Sequence, residues 1–323
     1  MKILIIQTAS IGDVVLSTSL METLHRDIPE VEIDVVVKNG NEELFEHHPF
    51  IKKVFVWQKA EQKYRNLMRL SHAIRSQHYD KVINIQRFFS SGLLTLLAKA
   101  KETRGFSKNP LSFFFSKRYA HKISHNGFVH EIKRNATLIE GLYSLPVAKP
   151  HLYPLEERIF DFQNGIYYTI SPSSLWETKQ YPPEKWAELI KDAKGVVCLL
   201  GGKNDKELCE RIIAASGNEN CINMCGNLTF LQSCNVMKYA KMNFTNDSAP
   251  LHFCSAVNAP VTAVFCSTVP EFGFTPLSDD SLVVQTKKKL NCRPCGLHGF
   301  KTCPKGHFAC ANTINISDLT VRL

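Results

Sequence analysis

Lys2-Ile3-Leu4-Ile5-Ile6-Gln7, then Thr8-Ala9-Ser10-Ile11-Gly12-Asp13, then an apolar helical pattern that runs to His25: this opening decides the fold. The short Ile-rich run has the length of a buried strand, and the segment beyond the loop has helical spacing. Strand, tight loop and helix form the first repeat of an α/β sheet. Outward from it the alternation continues. Val31–Lys38, Val54–Trp57 and Lys81–Ile85 read as strands, and Tyr64–Gln77 carries Leu67, Leu70 and Ile74 at helical spacing. Phe128–Leu145 predicts a helix with Ile132, Ala136, Ile139 and Leu142 on one face, and Pro146, Pro150 and Pro154 then break the pattern. The alternation restarts with strands at Tyr167–Ser171, Val196–Leu200 and Val261–Phe265 and helices at Pro183–Ala193 and Asp205–Ala215. The expectation is two αβα halves joined near residue 155, with domains at 1–155 and 156–323.

A chain of 323 residues is long enough for about two domains. Apolar residues at 44% and charged residues at 21% are ordinary for a globular protein and exclude disordered, collagen-like and coiled-coil classes. Lys plus Arg number 39 against 30 Asp plus Glu, and the resulting +9 favours an anionic partner such as a nucleotide or a phospholipid. Nucleic acid is set aside, because the basic residues are scattered without interleaved aromatic platforms. The apolar run Ile3–Ile6 is too short for a secretory segment, and nowhere do about 18 apolar residues run together. A cytoplasmic protein, touching a membrane surface at most, is the expectation. Cys198, Cys209, Cys221, Cys225, Cys234, Cys254 and Cys266 sit among apolar or helical positions and read as buried free thiols.

Four polar clusters come directly after expected strands. In Ser10-Ile11-Gly12-Asp13 the glycine lets backbone approach a ligand closely, and Asp13 either serves chemistry or simply meets the dipole of the helix that it opens. The absence of Gly-x-Gly-x-x-Gly argues against a nicotinamide enzyme. Ser173, Ser174 and Lys179 carry hydroxyls and a point charge suited to a diphosphate, or form a plain surface loop. Gly201-Gly202-Lys203-Asn204-Asp205 is either a ligand loop or an ordinary αβ turn. In Thr245-Asn246-Asp247-Ser248-Ala249-Pro250-Leu251-His252, Asp247 or Ser248 caps the next helix, whose first amides make an anion site.

All four clusters fall at the same edge of their sheets, and in that order the chain resembles the bacterial heptosyltransferases of glycosyltransferase family nine. The resemblance runs from Met1 to about Cys310. It is carried by Ser10–Leu16, by Lys179-Gln180-Tyr181-Pro182, by Asn246-Asp247-Ser248-x-x-x-His252 and by His130-Glu131-x-x-Arg134-Asn135. It implies a GT-B fold: two Rossmann-like αβα domains facing each other across a cleft, the first binding acceptor and the second binding the nucleotide sugar. It implies inverting transfer of a heptose from ADP-heptose to inner-core lipopolysaccharide, by an enzyme peripheral to the inner membrane, with no cofactor or metal required. Asp13 would be the general base, in an acceptor-side loop with Ser10 and Gly12. Ser173, Ser174 and Lys179 would hold the donor diphosphate, helped by the helix start at Ser248. Asp247 would hold heptose hydroxyls, Asp205 or Glu207 the ribose, and Leu228 and Thr229 the adenine, with His252 completing the donor motif. Ala249 departs from the family's Gly, which leaves open transfer from another nucleotide sugar. A non-catalytic nucleotide-binding or interaction module on the same scaffold is the alternative.

The loop 292–310 holds Cys292, Cys295, Cys303 and Cys310, with His298 and His307 nearby. One Cys-x-x-Cys with two loosely spaced partners leaves three readings: a structural zinc, free thiols shaping an acceptor loop, or disulfides, the last opposed by a reducing cytosol. Cys292-x-x-Cys295 and Cys303-Pro304-x-Gly306-His307 look most like the heptosyltransferase II branch.

Overall fold

The computed structural model describes residues 1–60, 62–123, 127–156 and 165–323. Its contacts divide into two compact units, one of Met1–Ile123 with Val129–Tyr153 and the other mainly of Pro154–Leu323.

The first unit begins with β1 (Lys2–Ile6), α1 (Ile11–Asp27), β2 (Glu32–Lys38) and β3 (Ile51–Trp57). There follow α2 (Lys63–Arg75), β4 (Lys81–Asn84), α3 (Phe89–Leu97), β5 (Glu102–Phe106), β6 (Lys117–Tyr119) and α4 (Glu131–Ala136). The strands form one parallel sheet in the order β3-β2-β1-β4-β5-β6. Ile3, Leu4, Ile5 and Ile6 are wholly buried, because a central parallel strand is covered on both faces. Each such side chain contributes about 1.5–3 kcal/mol relative to exposure. Helix α1 is buried almost all round; the hydroxyls of Ser17 and Thr18 donate within the helix to Val14 O and Val15 O, each at 2.7 Å, and that of Ser19 donates to Ala148 O at 2.5 Å. The segment around Ala148 and His151, where the sequence predicts a linker, is bonded to α1: Ala148 N and His151 N donate to the hydroxyls of Thr23 and Thr18, each at 3.0 Å.

The second unit contains β7 (Tyr167–Ser171), α5 (Pro183–Lys191), β8 (Val196–Leu199), α6 (Lys206–Ser216), β9 (Cys221–Asn223) and α7 (Phe230–Tyr239). It continues with β10 (Met242–Asn246), α8 (Ala249–Ala256), β11 (Val261–Phe265), β12 (Ser281–Gln285) and the single turns α9 (Ala309–Asn312) and α10 (Ser317–Thr320). Its parallel sheet has the order β12-β11-β10-β7-β8-β9 and packs on Trp186, Leu189 and Ile190 of α5. Among the described residues no helix is long and apolar enough to cross a membrane.

The structure shortens one expected element and adds others. The helix expected over Phe128–Leu145 reduces to α4 and a 3-10 turn at Thr137–Ile139. His130 caps it, its Nδ1 accepting from Ile132 N at 3.3 Å, and Gly141, at φ +75°, comes after the turn. Strand β10 escapes a reading by apolar runs because its sequence is Met-Asn-Phe-Thr-Asn. Its Asn243 is satisfied inside the sheet, donating to Met237 O and Pro260 O and accepting from Thr169 Oγ1 at 2.5 Å. Strand β5 is likewise masked by Glu102, Arg104 and Gly105.

Candidate functional site

In each sheet the order in which successive strands are added reverses across the middle, between β1 and β4 in the first and between β7 and β10 in the second, with all strands remaining parallel. Loops leaving the carboxyl ends of such strand pairs diverge and leave a crevice, which is where open α/β sheets bind ligands.

At the first switch point Ser10 precedes α1 and Asp13 occupies its first turn. The exposed Ser10 hydroxyl donates to the Asp13 carboxylate, and Gly12 is buried between them. Asp13 is half-buried and meets the positive helix end, so the structural and chemical readings of this residue are compatible. Three residues that the sequence does not single out hold this loop. Gln86, after β4, donates to Gln7 Oε1, while Gln7 Nε2 donates to Asp13 O at 3.3 Å. Lys59 Nζ donates to Thr8 O at 2.7 Å and to Thr8 Oγ1 at 3.0 Å. Burial, then the charges of Lys38 and Lys63, lowers the Lys59 ammonium to about 8. The only sequence signal for these residues is a polar side chain at the end of an apolar strand.

At the second switch point Asn246, the last residue of β10, ties two segments together. Its Oδ1 accepts from Tyr181 N at 2.9 Å and its Nδ2 donates to Pro172 O at 2.7 Å. The segment after β7, carrying half-buried Ser173 and Ser174, is thereby held beside the segment that carries Lys179. Lys179 Nζ then lies 2.7 Å from Asp247 Oδ2, the oxygen that also accepts from Thr268 Oγ1 at 2.6 Å. The cap expected from Asp247 or Ser248 takes a different form. Ser248 occupies the cap position of α8 without making a side-chain cap bond, and the Asp247 carboxylate is engaged by Lys179 and Thr268. Ser248 Oγ is buried with no hydrogen-bond partner among the described residues. Ala249 opens α8 half-buried, and His252 is buried one turn further on.

The remaining donor-side candidates have local roles. Asp205 Oδ2 accepts from Gly202 N at 2.8 Å and closes the glycine turn. Thr229 caps α7 through a reciprocal pair, Oγ1 accepting from Gln232 N at 3.1 Å and Gln232 Oε1 accepting from Thr229 N at 2.9 Å. Glu207 is exposed in the first turn of α6, and Leu228 is half-buried just before α7.

All eleven cysteines are free thiols. Cys292, Cys295, Cys303 and Cys310 line one cavity of about 240 Å³ together with His307. Among the described residues, however, no three His, Cys, Asp or Glu side chains are arranged to hold a metal ion. Burial raises Cys310 to about 11. Burial also pushes the Cys303 thiol up, but bonds from the amides of Phe308, Lys305, Gly306 and His307 outweigh it and hold Cys303 below the usual thiol value. The loop is docked beside the Lys179 turn: Phe300 N donates to Thr178 Oγ1 at 2.8 Å, and Thr178 N donates to Phe300 O at 3.1 Å. Arg293 reaches Cys266 O, Phe265 O and Thr268 O, capping the end of β11.

The family model for glycosyltransferase family 9 (heptosyltransferase) matches residues 67–300. Lipooligosaccharide heptosyltransferase 2 of Haemophilus ducreyi is 24% identical over 312 residues, covering 88% of this chain and 88% of the relative. The structure of E. coli ADP-heptose lps heptosyltransferase II superposes with a TM-score of 0.77 at 23% identity, covering 91% of this chain and 96% of that one. E. coli heptosyltransferase WaaC with ADP gives 0.74 at 22% identity, covering 88% and 92%. The two parallel sheets share the α/β, GT-B-like fold of these structures. With its family model spanning most of the sequence and both switch points furnished, the chain belongs to glycosyltransferase family 9, the heptosyltransferases.

Proposed function

We propose that this chain is an inverting glycosyltransferase that moves a heptose from ADP-heptose to the inner core of lipopolysaccharide. The observation that carries the reading is the paired Lys179 and Asp247 beside the start of α8, a charge arrangement suited to a sugar diphosphate. The E. coli WaaC structure with ADP supports a nucleotide donor.

In this reading the first unit takes the acceptor and the second takes the donor. Asp13 removes the proton of the acceptor hydroxyl as its oxygen attacks the anomeric carbon. The bond to the diphosphate breaks and its electron pair leaves with ADP, inverting the centre. Lys179, Ser173, Ser174 and the Ser248 hydroxyl meet the diphosphate, so the positive charge now resting on Asp247 is shared with the leaving group. Asp247 accepts from heptose hydroxyls, and Asp205 or Glu207 from the ribose. Leu228 and Thr229 line the adenine, and His252 backs the donor motif from within α8. Lys59, at the Asp13 loop, meets an anionic group of the acceptor. This scheme uses protein cations in place of a metal ion. It is consistent with an enzyme in the cytoplasm, at the inner face of the membrane that holds its acceptor.

The test is a panel of ADP-, GDP- and UDP-sugars with a lipid A-Kdo acceptor and with a heptosylated one, product stereochemistry being read by NMR. ADP-heptose should be the productive donor. Turnover with none of them would favour the binding-module alternative.

A further inference from the structure

We propose that two phenylalanine pairs in the first unit, Phe88–Phe89 and Phe113–Phe114, with Arg87, Lys108 and Arg118, form a docking surface for an anionic phospholipid bilayer. Phe88 and Phe89 are 53% and 51% exposed, and Phe113 and Phe114 are 81% and 72% exposed. These are large apolar side chains facing water, and a cluster of them marks an interaction surface.

The two pairs belong to adjoining segments. Asn109 Nδ2 donates to Gln86 O and to Phe88 O, each at 3.0 Å, tying the turn after β5 to the loop after β4. Gly92, in the first turn of α3, leaves so little room there that an added Cβ would lie 2.3 Å from Asn109 Oδ1 and 3.0 Å from Leu111 Cβ. Of three consecutive phenylalanines, Phe115 is buried against Gly105, where an added Cβ would lie 2.5 Å from its ring. That anchor holds the 3-10 turn Ser112–Phe114 so that Phe113 and Phe114 project.

Charge selects the occupant. Arg87 stands 5.5 Å from the Phe88 ring and Arg118 stands 4.7 Å from the Phe113 ring, and both are exposed, as is Lys108. Between Gln86 and Tyr119 the one acidic residue is Glu102, which is already engaged by Lys81, Arg104 and Lys117. Projecting aromatic rings flanked by cations that form no ion pair among the described residues fit the headgroup layer of an anionic leaflet, where rings enter the acyl boundary and cations meet phosphates. The strands of this sheet are parallel, so the loops after β1, β4 and β5 leave the same edge, and the Gln86–Gln7 bond joins the aromatic loop to the Asp13 loop. The inference rests on the acceptor reading above only in this placement: a membrane held by the phenylalanines would present its glycolipid beside Asp13.

The experiment is sedimentation of the full chain with phosphatidylethanolamine vesicles containing phosphatidylglycerol, and with phosphatidylcholine vesicles. The chain should partition onto the anionic vesicles and be released by salt. Phe113→Ser with Phe114→Ser should weaken partitioning at least about tenfold. Arg87→Gln with Arg118→Gln should weaken it about 30-fold, from about 1 kcal/mol per cation. The phenylalanine variant should keep its melting temperature and its turnover of a deacylated, soluble acceptor, and lose turnover of the same acceptor embedded in vesicles. Unchanged partitioning in both variants overturns the proposal, as does loss of self-association on gel filtration with vesicle binding intact, which would make the patch a contact between copies. If the wild-type chain binds vesicles as described but turns over neither acceptor, the function proposed above fails and the docking surface stands.

Discussion

Lys179 and Asp247, which come from opposite sides of the second sheet's switch point, form an ion pair at 2.7 Å, with side chains only 15% and 8% exposed. Removing two charges this far from water is costly, so the pair is held by its geometry and by Thr268 rather than being a net source of stability. It keeps a cation in place for an incoming diphosphate.

Breaking that pair from one side has a definite signature. Lys179→Met leaves a buried carboxylate uncompensated and should cost about 3–5 kcal/mol. Adding Asp247→Asn removes the stranded charge while keeping an acceptor for Thr268, and should recover most of the loss. Neither variant should regain affinity for ADP. Calorimetric unfolding with ADP titration checks this, and a double variant as unstable as the single one would refute it.

Asp13→Asn removes a base and keeps the shape of the first turn of α1. Transfer should fall by about 10²–10⁴-fold, while melting temperature and ADP affinity stay as in the wild type. Rapid-quench single turnovers would read the chemical step directly, and full activity in this variant would assign the base elsewhere.

Lys59, lowered to about 8, is charged below that pH and neutral above it. If it meets an anionic acceptor group, kcat/KM for the acceptor should drop as pH rises through about 8. Lys59→Arg should move that limb upward, since a guanidinium stays charged, whereas Lys59→Met should remove the limb and lower the rate below it. A pH profile with an unshifted limb in the arginine variant would count against the assignment.

Glu22 in α1 is raised to about 7 by burial, against the lowering effect of the Tyr153 hydroxyl that donates to it at 3.0 Å. The folded state thus holds this proton more tightly than the unfolded chain, whose carboxyl titrates near 4.5. The stabilising contribution is complete below about 4.5 and is lost as pH rises through about 7. Glu22→Gln keeps an acceptor for Tyr153 and should melt about 2–4 °C higher than wild type at alkaline pH, with little difference in mild acid.

Gly201→Ala tests the glycine turn after β8. An added Cβ there would lie 2.8 Å from Asp205 Cβ and 3.0 Å from Cys225 Sγ, so both must move. The cost should be about 1–3 kcal/mol in urea unfolding, accompanied by weaker ADP binding because Asp205 could no longer close on Gly202.

Much of the α/β plan is legible locally. The strands at Tyr167–Ser171 and Val261–Phe265 match their sequence-based bounds residue for residue, because central parallel strands are short apolar runs bounded by turn residues. Strands β5 and β10 cannot be read this way: Arg104 donates to Leu138 O and Glu140 O, and Asn243 bonds to Met237 O and Pro260 O, so partners distant in sequence satisfy what looks polar in isolation. Ser10, Asp13, Lys179, Asp247 and Ser248 stand out because loops after strands are where a sheet can offer polar groups to a ligand. Gln7, Lys59, Gln86 and Thr268 do not stand out, since each matters only through what it touches.

Consecutive residues thus dictate the alternation of strand and helix, the two switch-point loops and the residue types set on them. These arise from periodicities of two and 3.6 residues, which are properties of neighbouring positions. It took three-dimensional packing to establish that Lys179 is neutralised by Asp247, that Asn246 ties together the segments of Pro172 and Tyr181, and that Phe88, Phe89, Phe113 and Phe114 reach solvent while Phe115 does not. Ion pairing and burial depend on distances between positions far apart along the chain, and the order of strands in the sheet sets those distances.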